Sequence, residues 1–456
     1  MTKCFVDDEI NQNLLMPPSL HDWLPENHLA RFIADLVESL DLRAFYRSYE
    51  EKDGRGQAAY HPVMMVRVLV YGYCIGVTSS RQIEKRTYED VACRYLSGDQ
   101  HPDHSVINEF RKRHLAALAG LFVEVLQLCQ KAELVKLGHV ALDGTKLQAN
   151  ASKHKAMSYG RMLKSEQQLR AEVEELLRQA EAVDAEEDER ERQGYSDKLP
   201  EELARRESRL KKIQQAKAEL EAEARQKAEQ EKAAAEARMA ERQEQEKRTG
   251  KKTRGGKPHI PDPQQAVPED KAQRNFTDPD SRLMVDKGSF VQAYNGQIAV
   301  DAEAQIIVAA DITQDANDKR QLVPMLAQIE QNTGAEPKLC TADTGYWSPE
   351  QMGHERAKRV DLYVATNSGR PSANPVETNP ALEEMKQKLQ TQAGRAIYKM
   401  RKAIVEPVFG QIKEWRHFRR FRFRGLEKVR SEWKLICLTH NILKLFRAQR
   451  RVYATA

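Results

Sequence analysis

From Met157 to Arg248 the chain is built almost entirely of Glu, Lys, Arg, Gln and Ala, with apolar residues spaced by four and three. A stripe that narrow buries one face of a helix and no more, so any globular core must be assembled from the sequence on either side of it. Leu169, Val173, Leu176, Ala180 and Val183 mark one seam. Leu199, Leu203, Leu210, Ile213 and Leu220 mark a second, with Arg206 and Lys217 at seam positions between them, and Gly194-Tyr195-Ser196-Asp197 separates the two. The pattern predicts an antiparallel coiled-coil hairpin, or two helices that each pair with a second chain. Either way, residues 153–250 form an insertion projecting from a globular body, followed by a basic Gly/Pro-rich linker over 251–277.

A chain of 456 residues exceeds what one core usually serves, and its charged residues, 31% of the total, crowd into that insertion. The 6 cysteines (Cys4, Cys74, Cys93, Cys129, Cys340 and Cys437) show no C-x-x-C pair and sit mostly in apolar runs, which favours a reducing compartment over a disulfide framework or a zinc site. The N-terminus, acidic at Asp7, Asp8 and Glu9, reads as one without a secretory leader. The most apolar run, Val63 to Val77, contains Arg67 and is too short to span a bilayer. These features suggest a bacterial cytoplasmic protein with no membrane association.

Residues 1–135 read as a helical domain. His61-Pro62 opens an apolar helix that Gly76 ends, and Ser79 with Gln82 suggests a capping box for a second helix running to about Leu96. A third helix follows His101-Pro102-Asp103 and carries Asn108, Arg111, Lys112, Arg113 and His114 before the stripe Leu118, Leu121, Val125 and Leu128. Three short helices with a basic third one suit helix-turn-helix-like DNA binding, or equally a plain helical bundle whose charges face water.

Residues 136–152 and 278–456 supply strands. In G-H-V-A-L-D-G-T-K, Val140 and Leu142 predict a buried strand ending at Asp143 beside a Gly-Thr turn. A carboxylate on a core strand costs several kcal/mol unless a cation or donors compensate it, in roughly the measure known for buried charges. Phe290–Val300 and Ile306–Ile312 read as strands joined by the hairpin loop Asp301-Ala302-Glu303-Ala304, and Lys319–Gln331 as a helix. Lys338–Ala342 then repeats the opening pattern, a strand that delivers Asp343 to a Thr-Gly turn. A helix from Ser348, a strand over Val360–Ala365, a polar loop over Asn367–Pro380 and C-terminal helices (Leu382–Trp415 with a break, Lys428–Arg447) complete the order. That order gives an α/β fold, a mixed sheet flanked by helices. If the strands carrying Asp143 and Asp343 are neighbours, their side chains meet, and Glu406, on a helix whose apolar residues suit packing on a sheet, offers a third oxygen donor with Lys413 two turns beyond it on the same face.

The motifs A-L-D-G-T-K (141–146), A-D-T-G-Y (342–346) and Y-x-x-R followed by E-x6-K (Tyr398 to Lys413) together resemble the DDE transposases of bacterial insertion sequences, in the branch with a Tyr-Arg-Glu-Lys signature around the third carboxylate. G-R-G-Q-A-A-Y-H-P (54–62), S-S-R-Q-I-E (79–84), D-P-D-S-R-L-M (278–284) and A-Y-N-G-Q-I-A-V-D (293–301) extend the likeness over nearly the whole chain outside the insertion. The resemblance implies a ribonuclease-H-like core with Asp143, Asp343 and Glu406 as a metal-binding catalytic triad. The signature's usual interval puts Lys402 where its arginine would stand, one residue after Arg401, so either can be the DNA contact.

Such a triad would hold two Mg²⁺ ions, with Mn²⁺ able to substitute, because hard cations take oxygen ligands; Asp143 would bridge both while Asp343 and Glu406 each hold one. Water would free a 3′-hydroxyl at the element's end, and that hydroxyl would attack target DNA. The expected partners are terminal inverted repeats, target DNA and a second copy of the chain in a homodimer at the nucleoid. For DNA contacts the sequence offers Tyr398, Arg401, Lys402 and Lys413, then Arg416, Arg419, Arg420, Arg422 and Arg424 interleaved with Trp415, Phe418, Phe421 and Phe423. These aromatics are either core anchors or base-stacking platforms, as is Trp347. Two alternatives stand beside this reading: a structure-specific nuclease with the same core but no strand transfer, and a non-enzymatic coiled-coil DNA-binding protein.

Overall fold

The computed structural model describes residues 19–50, 58–187, 198–249, 260–366 and 380–455. The break at Gly194–Asp197, the basic stretch 251–259 and the loop over 367–379 lie outside the described residues, as do Asp7, Asp8, Glu9 and Cys4.

The N-terminal part is helical: α1 (Leu29–Glu38), α2 (Arg43–Glu50), α3 (Pro62–Cys74), α4 (Ser80–Glu89), α5 (Val91–Ser97), α6 (His104–Arg113) and α7 (Leu115–Lys131). The expected second helix is two. Asp90 takes an extended conformation and its carboxylate accepts from the amides of Ala92 and Cys93, so it caps a new helix instead of continuing the old one. Ser79 does stand at an N-cap, but its side chain makes no capping bond. The third helix breaks at His114 between α6 and α7. Arg111 turns inward, donating to the Thr78 carbonyl (2.5 Å) with its guanidinium 5.2 Å from the Phe423 ring, and only Lys112 and Arg113 remain on the outside.

Strands β1 (His139–Gln148), β4 (Arg282–Asp286), β5 (Ser289–Asp301), β6 (Ile307–Thr313), β7 (Leu339–Ala342) and β8 (Asp361–Val364) form one mixed sheet, while β2 (Ala156–Ser158) and β3 (Gln273–Asn275) form a small ribbon beneath the insertion. β1 is central. Its one edge runs antiparallel to β5, which carries β4 and β6 on its far side, and its other edge runs parallel to β7 and then β8. The helices α10 (Leu322–Thr333), α11 (Pro349–Gly353), α12 (Glu355–Arg359), α13 (Pro380–Gln390), α14 (Gln392–Gly410) and α15 (Leu426–Thr455) cover the sheet.

One hydrophobic cluster runs from α1 and α3 through α7 and α15 to both sides of the sheet, with Phe45, Leu69, Ile298, Leu326 and Trp433 all at or near zero exposure. The start of α15 is tied to the strand β4 region by carboxylates: Asp278 accepts from the Gly425 amide and Asp280 from that of Leu426. Among the described residues no helix is long and apolar enough to cross a membrane.

The insertion is two helices, α8 (Tyr159–Glu187) and α9 (Lys198–Thr249), packed on each other around Met162, Leu169, Ile213 and Leu220. Their side-chain pairs run in opposite directions: Tyr159 with Glu221, Glu166 with Lys217, Glu172 with Arg206. The basic residues at seam positions therefore have acidic partners on the facing helix. Glu166, only 7% exposed, also receives Arg170 and Gln214, and these donors hold its carboxyl below the usual range.

Candidate active site

β1 outlasts its parallel neighbour. It pairs with β7 only from His139 to Ala141 but continues against β5 to Gln148, so Asp143 lies inside the strand and not at its end, just where β7 has stopped. Asp343 is the residue after β7 and caps a 3₁₀ turn, accepting from the Gly345 amide at 2.9 Å. Two carboxylates far apart in sequence are thereby set side by side, one within β1 and one just past the end of β7. Burial, with Asp343 adding to it and Arg401 opposing, pushes Asp143 up to about 6. Asp343 is raised as well, by burial and by a third acid, Asp318.

Sequence reasoning missed Asp318. It sits in the loop between β6 and α10, and its Oδ1 accepts from Asn295 Nδ2 (2.7 Å) and Gln297 Nε2 (2.6 Å). Both amides are fully buried on β5, opposite Lys146 and Gly144 of β1, and the Tyr346 hydroxyl donates to the Gln297 oxygen from the other side. Gly144 and Gly345 leave the space that this approach requires. A Cβ at 144 would stand 2.6 Å from both Asp318 Oδ1 and Gln297 Nε2, and one at 345 would stand 3.0 Å from Asp343 Oδ1 and 3.1 Å from Asp318 Oδ2. Asn295 Oδ1, also beside Gly144, is buried without a donor. A signal for this cluster was present: Asn295 and Gln297, two apart on a buried strand, share a face and must find polar partners.

The positive charge facing these acids is small. Arg401 on α14 bonds Asp143 Oδ2 at 3.1 Å with its side chain 10% exposed, and Tyr398 lies beside its guanidinium. Lys146 is held below its ordinary pKa by burial, against the pull of Asp318 and Asp343. Lys402, one residue on, is exposed. Lys413, in a π turn that continues α14, donates to the Lys146 carbonyl at 2.7 Å, so the helix is fixed to β1 at two points. Glu406 lies between those points and is exposed, without a hydrogen bond or ion pair among the described residues. The structure therefore brings together Asp143, Asp343 and Asp318, with Glu406 on the adjoining helix and outside that group. Among the described residues the set of acidic and imidazole ligands that closes most tightly is elsewhere: Glu84, Asp103 and His104, where His104 Nδ1 meets Glu84 at 2.8 Å and ties α4 to α6.

The basic C-terminal segment divides by burial. Arg416, expected on DNA, is 1% exposed and gives its donors to the Ile436 carbonyl and the Thr439 hydroxyl, so it is a core residue and cannot reach a phosphate. Phe418, Phe421 and Phe423 are core anchors, and Trp347 packs partly buried against the same core. Arg419, Arg420, Arg422 and Arg424 are exposed, although Arg419 pairs with Glu414, Arg422 with the Thr78 hydroxyl and Arg424 with the Asn150 carbonyl. This segment runs beside the end of β1 through a bridge between Gln148 and Arg420, and there it borders a cavity of about 580 Å³ lined by Lys153, Lys155, Phe290, Arg420 and Arg424.

A sheet that brings acids together from adjoining strands, beside a basic face, is the frame of a nucleic-acid-processing enzyme, and the comparisons agree. Residues 18–113 match the family described as Transposase domain (DUF772), and residues 264–442 match that described as Transposase DDE domain. The chain belongs to the DDE transposases of insertion sequences. Asp343 and Glu406 fall inside the second match, whereas Asp143 and the helical insertion fall outside both. The mixed sheet is consistent with a ribonuclease-H-like fold. Searches among curated proteins and among solved structures gave no match.

Proposed function

We propose that this transposase cuts the ends of its element by phosphodiester hydrolysis at Asp143, Asp343 and Glu406, and then joins the freed 3′-hydroxyl to target DNA. The observation that carries the reading is the placement of Asp143, inside β1, beside Asp343, just past the end of β7: burial raises both, and Asp343 adds to the rise at Asp143. The donor set suits a hard divalent cation: every candidate ligand is an oxygen, the acids outnumber Arg401 and Lys146, and the buried Asn295 oxygen lacks a donor. Two Mg²⁺ ions, or Mn²⁺ in their place, would be held by Asp143, Asp343 and Glu406 and would supply charge neutralisation at the reacting phosphate and an activated oxygen nucleophile.

The chain's own residues do the rest. Arg401 holds the Asp143 carboxylate in orientation, which leaves exposed Lys402 as the signature cation for the DNA backbone. Tyr398 positions Arg401, and Lys413 locks α14 onto β1, so that bound DNA and cations have only to draw Glu406 in from the adjoining helix. Arg420 and Arg424, with Arg419 and Arg422 beside them, take phosphates along the groove at the end of β1. Synapsis of two element ends calls for two copies, so the reading includes a homodimer acting at the bacterial nucleoid. The α8–α9 seam is satisfied within one chain as a coiled-coil hairpin, and dimerisation is assigned to other surfaces.

The test is cleavage of DNA that carries the element's terminal repeats, with Mg²⁺ present. Asp143→Asn, Asp343→Asn and Glu406→Gln each abolish nicking and leave DNA binding intact; unchanged cleavage by Asp143→Asn overturns the reading. Pre-cut ends that are never joined to target would leave a nuclease without strand transfer.

A further inference from the structure

The proposed triad leaves Asp318 without a task, yet the fold builds a place for it. Two fully buried amides on β5, Asn295 and Gln297, both donate to its Oδ1, and Tyr346 in turn orients Gln297. Glycine at 144 and at 345 clears the space through which the carboxylate reaches Asp143 and Asp343. Its second oxygen, Oδ2, has no hydrogen bond or ion pair among the described residues and stands on the Asp343 side of the turn, 3.1 Å from where a Gly345 Cβ would be. Orienting one oxygen with two buried donors while leaving the other bare is the usual outer support of a ligand to a cation. The second, independent sign is Asn295 itself: fully buried, its Oδ1 lacks any donor and lies against Gly144 at this same point.

We propose that Asp318 is a fourth carboxylate of the cation-holding set, its Oδ1 clamped by Asn295 and Gln297 and its Oδ2 presented to a divalent cation beside Asp343. The assignment rests on the function proposed above and extends it: the loop between β6 and α10 becomes part of the site, and Asp318 helps hold a cation whether or not Glu406 has been drawn in by bound DNA.

The experiment is Mn²⁺ titration of the metal-free, full-length protein, followed by electron paramagnetic resonance of the free ion. Asp318→Asn is the informative variant, since its amide oxygen can still accept from Asn295 and Gln297 while the second oxygen is replaced. Its Mn²⁺ affinity should fall about tenfold or more, with unfolding in chelator unchanged. If Asp143→Asn loses Mn²⁺ but Asp318→Asn binds as the parent does, the assignment of Asp318 is overturned and the triad survives. If Asp143→Asn also binds Mn²⁺ unchanged, the site reading itself fails and takes this proposal with it. Should Asp318→Asn not fold, the unaltered protein decides: Fe²⁺ in place of Mn²⁺, with ascorbate and peroxide, should cut the backbone around 316–319 as well as near 143 and 343. Cuts at the latter two alone overturn the proposal.

Discussion

Replacing Asp143 by Asn should make the metal-free protein more stable while destroying its activity. Burial moves this carboxyl from its ordinary 3.8 to about 6, and with Arg401 already counted in that balance the side chain is only 18% exposed. At 1.36 kcal/mol per pH unit, keeping it ionised at neutral pH costs the fold about 3 kcal/mol. The direction follows from proton counts: between 3.8 and about 6 the native chain binds a proton that the unfolded chain has released, so stability falls as pH rises through that window. The carboxamide introduced by Asp143→Asn has the same shape as the carboxylate and no charge, so it removes the penalty. In chelator at about pH 7.5 the variant should gain roughly 2–3 kcal/mol in urea unfolding, and near pH 3, where both states carry the proton, the gap should nearly close. Mg²⁺ should reverse the order, since a ligand present at about 100 times its Kd stabilises the parent by about 2.7 kcal/mol and has little hold on the variant. A variant less stable than its parent in chelator at neutral pH, or a gap that persists at low pH, refutes the argument.

Four further substitutions separate the roles assigned to other residues. Arg416→Ala should cost roughly 2–4 kcal/mol, because it opens a cavity and strips donors from Ile436 and Thr439, yet leave the DNA affinity of the folded fraction unaltered; a weakened affinity at full folding would return Arg416 to the DNA face. Lys402→Ala and Arg420→Ala, both at exposed positions, should each lower the salt dependence of DNA binding by about 0.9 in the slope of log K against log salt, with stability within about 0.5 kcal/mol of the parent. An unchanged slope removes that residue from the interface. Gly144→Ala puts a methyl 2.6 Å from Asp318 and Gln297 and should cost roughly 1–3 kcal/mol and abolish Mg²⁺-dependent cleavage; full activity would mean that the approach of Asp318 to β1 is dispensable.

What could be read from the sequence was whatever repeats with a fixed period. The apolar runs that lead to Asp143 and Asp343 were legible, and β7 does stop at Ala342, but β1 runs on through Asp143 to Gln148 because β5 continues to pair with it where β7 has ended. The seams of 157–248 were legible for the same reason, and Arg206 and Lys217, which interrupt them, are accounted for by Glu172 and Glu166 across the pair. Burial within a uniformly basic segment has no such signature. In W-R-H-F-R-R-F-R-F-R, Arg416 looks like its neighbours, and what buries it is a distant contact: its backbone carbonyl lies 2.7 Å from where a Cβ of Gly76 would be, at the end of α3, so only a left-handed glycine (φ +80°) admits the C-terminal segment there. Asp318 was hidden differently. Its loop, D-A-N-D-K, is polar and aperiodic, and its importance is written on another strand as the alternation of Asn295 and Gln297. A buried polar pair at period two is a demand for partners that local sequence cannot meet, so the loop that meets it becomes recognisable only once β5 and β1 are side by side.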